Sequence, residues 1–93
     1  MKHYTKTEIK RTAQVAISNF TGMEPKLSDI TLLESSGDRT YILFRVRDIE
    51  YRFSSYVFDT WTNDKGEQIQ SIWAGDGTIE RLGRRTARGN LIP

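Results

Sequence analysis

Residues 40–53, with the sequence TYILFRVRDIEYRF, constrain the fold more than any other part of this chain. Apolar and polar residues alternate on both sides of Arg47 and Asp48, which is typical of two strands that each bury one face. A two-residue turn at Arg47 and Asp48 would place Val46 opposite Ile49. The stretch therefore predicts a β-hairpin at the centre of a small antiparallel sheet.

One face of the predicted hairpin is apolar. In this register it carries Ile42, Phe44, Val46, Ile49, Tyr51 and Phe53. We expect this face to be buried against a helix. The Arg-Asp pair is not among the Asn-Gly and Asp-Gly pairs that two-residue turns prefer, so a longer loop or a slipped register is the alternative.

The reverse face of the hairpin mixes apolar and arginine side chains. It carries Tyr41, Leu43, Arg45 and Arg52, and one of two adjacent leucines at 32 and 33 should join them. Glu50 falls opposite Arg45, which predicts an exposed ion pair worth less than about 1 kcal/mol. Aromatic and guanidinium groups are enriched at interaction surfaces, so we interpret these four residues as a partner-binding surface. The alternative is that a second layer covers the face.

A helix is predicted over residues 5–21, before the sheet. Thr5 and Glu8 have the spacing of a capping box, and Gly22 provides a left-handed C-terminal residue. Its apolar stripe consists of Ile9, Ala13, Ala16, Ile17 and Phe20. This stripe should face the sheet.

The remaining segments complete an α+β domain that spans residues 1–93. Strands are predicted at about 29–36, 40–47, 49–54, 56–62 and 67–73. The last two would form a hairpin at the sheet edge, with Val57 or Phe58 and Ile69 or Ile72 buried. Residues 78–82 are interpreted as a short helical turn, and residues 81–93 as a basic tail, extended or disordered unless Leu91 and Ile92 dock. The predicted fold is one N-terminal helix on one face of an antiparallel sheet of about five strands.

Length and composition narrow the class of protein. Ninety-three residues suffice for one core, and without cysteine the fold depends on packing rather than on disulfides. The N-terminal segment has no apolar core of signal-peptide length, and no run of about 18 apolar residues could span a membrane. We therefore expect a soluble, unprocessed, cytoplasmic protein without a membrane partner.

Charge is distributed unevenly along the chain, although the formal net charge is only +2. Residues 1–22 carry 4 − 1 = +3, residues 23–77 carry 6 − 10 = −4, and residues 78–93 carry 4 − 1 = +3. The basic ends either neutralise the acidic middle or form a surface for a polyanion. The candidate contacts for nucleic acid or an acidic partner are Arg81, Arg84, Arg85, Arg88, Lys6 and Lys10; the alternative is a solvated helix face and a mobile terminus.

Catalytic equipment is sparse. The single histidine, His3, precedes the helix, and no cysteine is available as a nucleophile. The carboxylate pairs Asp48 with Glu50 and Asp59 with Asp64 are conceivable acid–base pairs, but nothing in the pattern places them in a cleft. Neither a phosphate-binding loop nor a calcium loop has the required spacing. We predict no enzymatic activity, no metal and no cofactor.

The functional hypothesis follows from these exclusions. We expect a small non-enzymatic interaction module that occludes or bridges a protein or nucleoprotein partner with its open sheet face and basic tail. Such chains are typical of inhibitory or accessory proteins of bacteria, phages and other mobile elements, an analogy at the level of the fold. The alternative is direct nucleic-acid binding through the tail and the basic helix face.

Overall fold

The computed structural model describes residues 4–55, 59–71 and 77–93. Within these ranges, one α-helix, one short 3-10 helix and seven strands follow one another: α1 Lys6–Thr21, the 3-10 helix Leu27–Asp29, β1 Ile30–Ser35, β2 Tyr41–Val46, β3 Ile49–Ser54, β4 Asp59–Thr62, β5 Gln68–Ser71, β6 Thr78–Arg85 and β7 Leu91–Ile92. Five strands form an antiparallel sheet in the order β1-β2-β3-β6-β7, and α1 packs on one of its faces. The predicted α+β fold is confirmed.

Helix α1 begins and ends where the sequence indicates. The Thr5 hydroxyl accepts a hydrogen bond from the Glu8 N–H at 3.2 Å, and the Glu8 carboxylate accepts one from the Thr5 N–H at 3.0 Å. At the other end Gly22 is left-handed, with φ 75°, and its N–H donates to the Ser18 carbonyl. Phe20 was wrongly assigned to the buried stripe: it is 49% exposed, because the stripe leaves the sheet in the last helical turn.

The core lies between α1 and the facing side of the sheet. Its buried side chains are Ile9, Ala13, Ala16 and Ile17 from the helix side and Ile30, Ile42, Phe44, Val46, Tyr51 and Phe53 from the sheet. The rings of Phe44 and Tyr51 stack across β2 and β3 with centroids 5.7 Å apart. The helix thus buries the apolar face of the hairpin, as the alternation of apolar and polar residues predicts.

The β2–β3 hairpin has the predicted register. Val46 pairs with Ile49 and Ile42 with Phe53, so Arg47 and Asp48 form a two-residue turn. Arg47 adopts the left-handed conformation, with φ 56°. A side chain in this region costs roughly 1–2 kcal/mol relative to the right-handed region, which explains why glycine and asparagine are the usual turn residues.

The second hairpin was wrongly placed in the main sheet. Strands β4 and β5 pair only with each other, as a separate two-stranded sheet, with Thr62 opposite Gln68. Each of these strands has one apolar residue in its sequence, whereas β2 and β3 each carry three on the face that packs on the helix. The predicted burial of Val57, Phe58 or Ile72 falls outside the described residues, as does that of the Ile69 side chain.

The C-terminal region was predicted wrongly in part: Leu91 and Ile92 do dock, as β7, but no helical turn forms at residues 78–82. Residues 78–85 form β6 rather than a helical turn and a tail, and β6 pairs along the whole of β3. The free edge of β3 offers unpaired main-chain groups that a returning chain can satisfy. Gly83 is buried there, and a Cβ at this position would collide with the carbonyl of Ile92 in β7. The close approach of the two backbones thus explains why a glycine occupies position 83.

Candidate functional site

The reverse face of the sheet, opposite α1, carries the predicted partner-binding residues. Tyr41, Leu43 and Arg45 alternate with the core residues of β2 and are half-buried, whereas Arg52, opposite Leu43 in β3, is exposed. The structure therefore brings these four side chains onto one surface, here called the reverse face.

Glu50 lies on the reverse face but is not the exposed partner of Arg45 that the sequence indicates. Only 2% of its side chain is exposed, although it does pair with Arg45 in the strand register. Its ion-pair partner is Arg85 of β6: Nε lies 2.7 Å from Oε2 and Nη2 lies 3.0 Å from Oε1. The predicted Arg45–Glu50 pair is therefore wrong, because β6 delivers a guanidinium with two-point geometry to the same carboxylate.

This pair sets the electrostatics at the centre of the site. The hydrogen bond from Arg85 holds the pKa of Glu50 below its ordinary value, against the opposing effect of burial, and the charges of Arg85 and Arg45 add to the lowering. The same hydrogen bond raises the pKa of Arg85. Arg85 also donates from Nη1 to the carbonyl of Gly89 at 2.7 Å, so three of its nitrogens are fixed by the protein.

Arg85 lines an open cleft of about 670 Å³ at one end of the sheet, here called the arginine cleft. Its lining consists of Arg45, Arg47, Asp48, Arg84, Arg85, Thr86 and Ala87. Four arginines, with Asp48 and the buried Glu50 as the adjacent acids, give a formal charge of 4 − 2 = +2. Two turns build the cleft: the one between β2 and β3, and the one that follows β6.

Three of the cleft arginines are available to a ligand. Within the described part of the chain, Arg45, Arg47 and Arg84 form no ion pair. Guanidinium groups bind carboxylates and phosphates through two parallel hydrogen bonds, so the cleft is suited to an anionic group on a partner.

The other predicted contact residues are dispersed. Arg52 forms an ion pair with Glu80 of β6, and Arg81 is exposed opposite Tyr51, towards the helix side of the sheet. Arg88 is exposed in the turn between β6 and β7. The basic residues predicted as one tail thus separate, and only Arg84 and Arg85 reach the cleft.

Lys6 and Lys10 lie at a second, independent location. They line a groove of about 550 Å³ between α1 and the outer edge of β1, here called the lysine groove. In this groove residues of β1 flank the two lysines, and the arginines of residues 81–88 are not among its lining residues.

Two components of the site were missed by the sequence reasoning. Arg47 was treated only as a turn residue, although a turn at the end of a strand places its side chain beside that of the neighbouring Arg45. Glu50 was treated as a surface residue; its signal is that it is the lone acid among the reverse-face positions of β2 and β3. A single carboxylate among arginines can accept hydrogen bonds from them, and here Glu50 holds the Arg85 guanidinium in place.

The side chains of the arginine cleft are mainly guanidinium groups, which can bind anions. Among residues 4–55, 59–71 and 77–93, no cluster of three or more histidine, aspartate or glutamate side chains could hold a metal ion. Over the same ranges, no helix is both long and apolar enough to cross a membrane. Comparisons with family models, curated proteins and solved structures find no match to this chain.

Proposed function

We propose that this protein is a non-enzymatic interaction module that binds an acidic protein surface through the reverse face and the arginine cleft. The observation that carries the proposal is their continuity: Arg45 belongs to both, so Leu43 and Tyr41 extend from the cleft as half-buried apolar surface. An apolar centre with arginines at its margin is the composition of a protein interface.

The fixed geometry of Arg85 favours specific binding. Because Glu50 and the Gly89 carbonyl already orient its guanidinium, a partner carboxylate would meet an ordered group and lose less side-chain entropy on binding. By covering a site or joining two molecules, a module of this size would act as an inhibitory or accessory protein. A chain without cysteine is suited to a reducing compartment, and we place this activity in the cytoplasm.

The test is affinity capture with matched variants. Leu43→Ala combined with Arg84→Ala removes one element of each surface, and Val15→Ala combined with Lys26→Ala makes equivalent changes at exposed positions elsewhere. We expect wild type and the control to retain the same protein from a nuclease-treated lysate, and the first variant to lose it. Retention of that protein by a folded Leu43→Ala/Arg84→Ala variant would refute the proposal.

Direct nucleic-acid binding is the second candidate, supported by the four arginines of the cleft. It predicts that purified protein binds mixed DNA and RNA with an affinity that falls steeply as salt rises. Among the described residues, Tyr41 is the aromatic side chain of the reverse face and lies at the opposite end of β2 from Arg45, and no ring is among the described residues that line the cleft and could stack on a base. Absence of binding at low salt would eliminate this candidate.

A further inference from the structure

The lysine groove lies beside an edge strand, β1, whose outer side pairs with no strand in the part of the chain that the structure describes. In the sheet order β1 is terminal, with β2 on one side only. Lys6 and Lys10 of α1 form one wall of the groove, and residues 30–35 form the other. A groove between a helix and an edge strand is the geometry in which proteins bind an extended segment as an additional strand.

The register shows which main-chain groups point outward. The Arg47 N–H donates to the Asp29 carbonyl, and the Ser36 N–H donates to the Tyr41 carbonyl, so Asp29 and Ser36, which flank β1, face β2. Successive residues of a strand alternate in direction, and a bulge between Leu32 and Glu34 resets that alternation. The N–H groups of Leu32 and Ser35 therefore point away from β2, into the groove.

Charge decides what kind of strand the groove accepts. Lys6 and Lys10 form no ion pair with a described residue. The acid of the groove, Glu34, is paired with Leu43 and so lies on the reverse face, on the other side of the sheet from α1. The helix side of the groove thus carries two unneutralised positive charges.

The same charges discriminate against a second copy of this chain. Pairing two β1 edges would bring two pairs of lysines towards one another, and edge lysines and bulges are devices that prevent such association. An acidic strand would instead be attracted by Lys6 and Lys10. Leu33, which is 42% exposed at the bulge, offers an apolar contact to a side chain of the incoming strand.

We propose that the lysine groove binds an extended acidic segment of another protein, which adds to β1 as a sixth strand of the main sheet. Its main-chain groups pair with those of Leu32 and Ser35, and its carboxylates lie against Lys6 and Lys10. This surface is separate from the arginine cleft, so the inference is independent of the proposed function.

The experiment uses a fluorescent ten-residue peptide of alternating glutamate and valine, and the full-length protein. We expect saturable binding by fluorescence anisotropy. Lys6→Glu combined with Lys10→Glu should weaken binding at least tenfold, because the reversed charges repel the glutamates of the peptide. Arg47→Glu combined with Arg84→Glu should change it less than threefold, because these residues line the arginine cleft. If only the cleft variant weakens binding, the inference is overturned and the proposed function is not.

Two further measurements test strand pairing itself. A peptide of the same sequence with alternate N-methylated amides keeps its charge but cannot complete a β-ladder, so it should bind at least tenfold more weakly. The amide protons of Leu32 and Ser35 should exchange at least tenfold more slowly when the unmodified peptide is bound. The proposal is overturned if the methylated peptide binds equally well, or if amide exchange is unchanged. It is also overturned if a lysine–valine peptide binds equally well, or if the protein forms a dimer that the lysine substitutions dissociate.

Discussion

The two faces of the sheet place adjacent residues in opposite environments. On the helix side, Phe44 and Phe53 are completely buried. On the reverse face, one residue along each strand, Leu43 is half-buried and Arg52 is exposed. The only described charged side chain that is buried, Glu50, lies on the face without a helix. The contrast teaches that apolar packing on one face holds the fold, while the other face carries a buried ion pair and exposed charges, where we place the proposed binding surface.

The largest difference in stability between the two faces is expected between Phe44→Ala and Leu43→Ala. Phe44 is fully buried and stacked on Tyr51, so we expect its truncation to lower the free energy of unfolding by about 3–5 kcal/mol. Leu43→Ala should lower it by less than about 1.5 kcal/mol, because the side chain already contacts solvent. Urea denaturation measures both, and equal losses would show that the two faces contribute alike to stability.

The next test asks how much the buried carboxylate contributes. Glu50→Gln keeps the shape of the side chain and removes its charge, so we expect a loss of about 1–2 kcal/mol at neutral pH. Since the pKa of folded Glu50 lies below its ordinary value, its contribution is complete above about pH 4.5 and is lost as the pH falls through the folded pKa. The difference in stability between wild type and Glu50→Gln should shrink as the pH falls below that value.

The control for this pH profile is internal. The Thr40 hydroxyl lowers the pKa of Asp38 by hydrogen bonding, and this contribution persists in Glu50→Gln. The variant should therefore retain part of the acid sensitivity of wild type. Parallel pH profiles for the two proteins would contradict a special role for Glu50.

A smaller effect is expected at the other arginine–glutamate pair between β3 and β6. Glu80, which is 55% exposed, pairs with Arg52, and exposed pairs of this kind contribute about 0–1 kcal/mol. Glu80→Gln should therefore change the free energy of unfolding by less than about 1 kcal/mol. Raising the salt concentration should remove that small difference. A loss as large as that of Glu50→Gln would show that burial does not distinguish the pairs.

The smallest expected change is a gain in stability. Asparagine tolerates the left-handed conformation of Arg47 better than arginine does, so we expect Arg47→Asn to stabilise the fold by about 0.5 kcal/mol. It also removes a cleft charge and should weaken capture of an acidic partner. Thermal unfolding measures the first effect and affinity capture the second. A loss of stability would mean that the Arg47 side chain makes a stabilising contact.

Local patterns were sufficient for the elements that face the helix. The alternation from Ile42 to Phe53 determined the register because a slip by one residue would turn every apolar side chain to the wrong face. The capping residues of α1 act within one turn, so their spacing predicted its start. In both cases the decisive interactions lie within a few residues of one another along the chain.

The long-range pairings were not predictable from local patterns. Arg85 and Glu50 are separated by 35 positions, and nothing near either residue indicates its partner. Apolar and polar residues alternate too weakly in residues 78–85 to identify a strand from the sequence. The strand forms because β3 and β7, on either side of it, provide partners for its main-chain hydrogen bonds. The arginine cleft was missed as a unit for the same reason: its members come from two turns that meet only after β6 has paired with β3.

The adjacency of β3 and β6 makes residues 55–77 an excursion that leaves and rejoins the ladder at one point, since Ser54 pairs with Thr78. Replacing these 77 − 54 = 23 residues by a four-residue turn would leave an uninterrupted five-stranded meander. Closing a four-residue loop rather than one of 23 residues would cost about 1.5 kcal/mol less in chain entropy, which favours folding. Because the pairing of β3 with β6 is set outside this segment, we expect a change in its length to leave the register on either side unaltered.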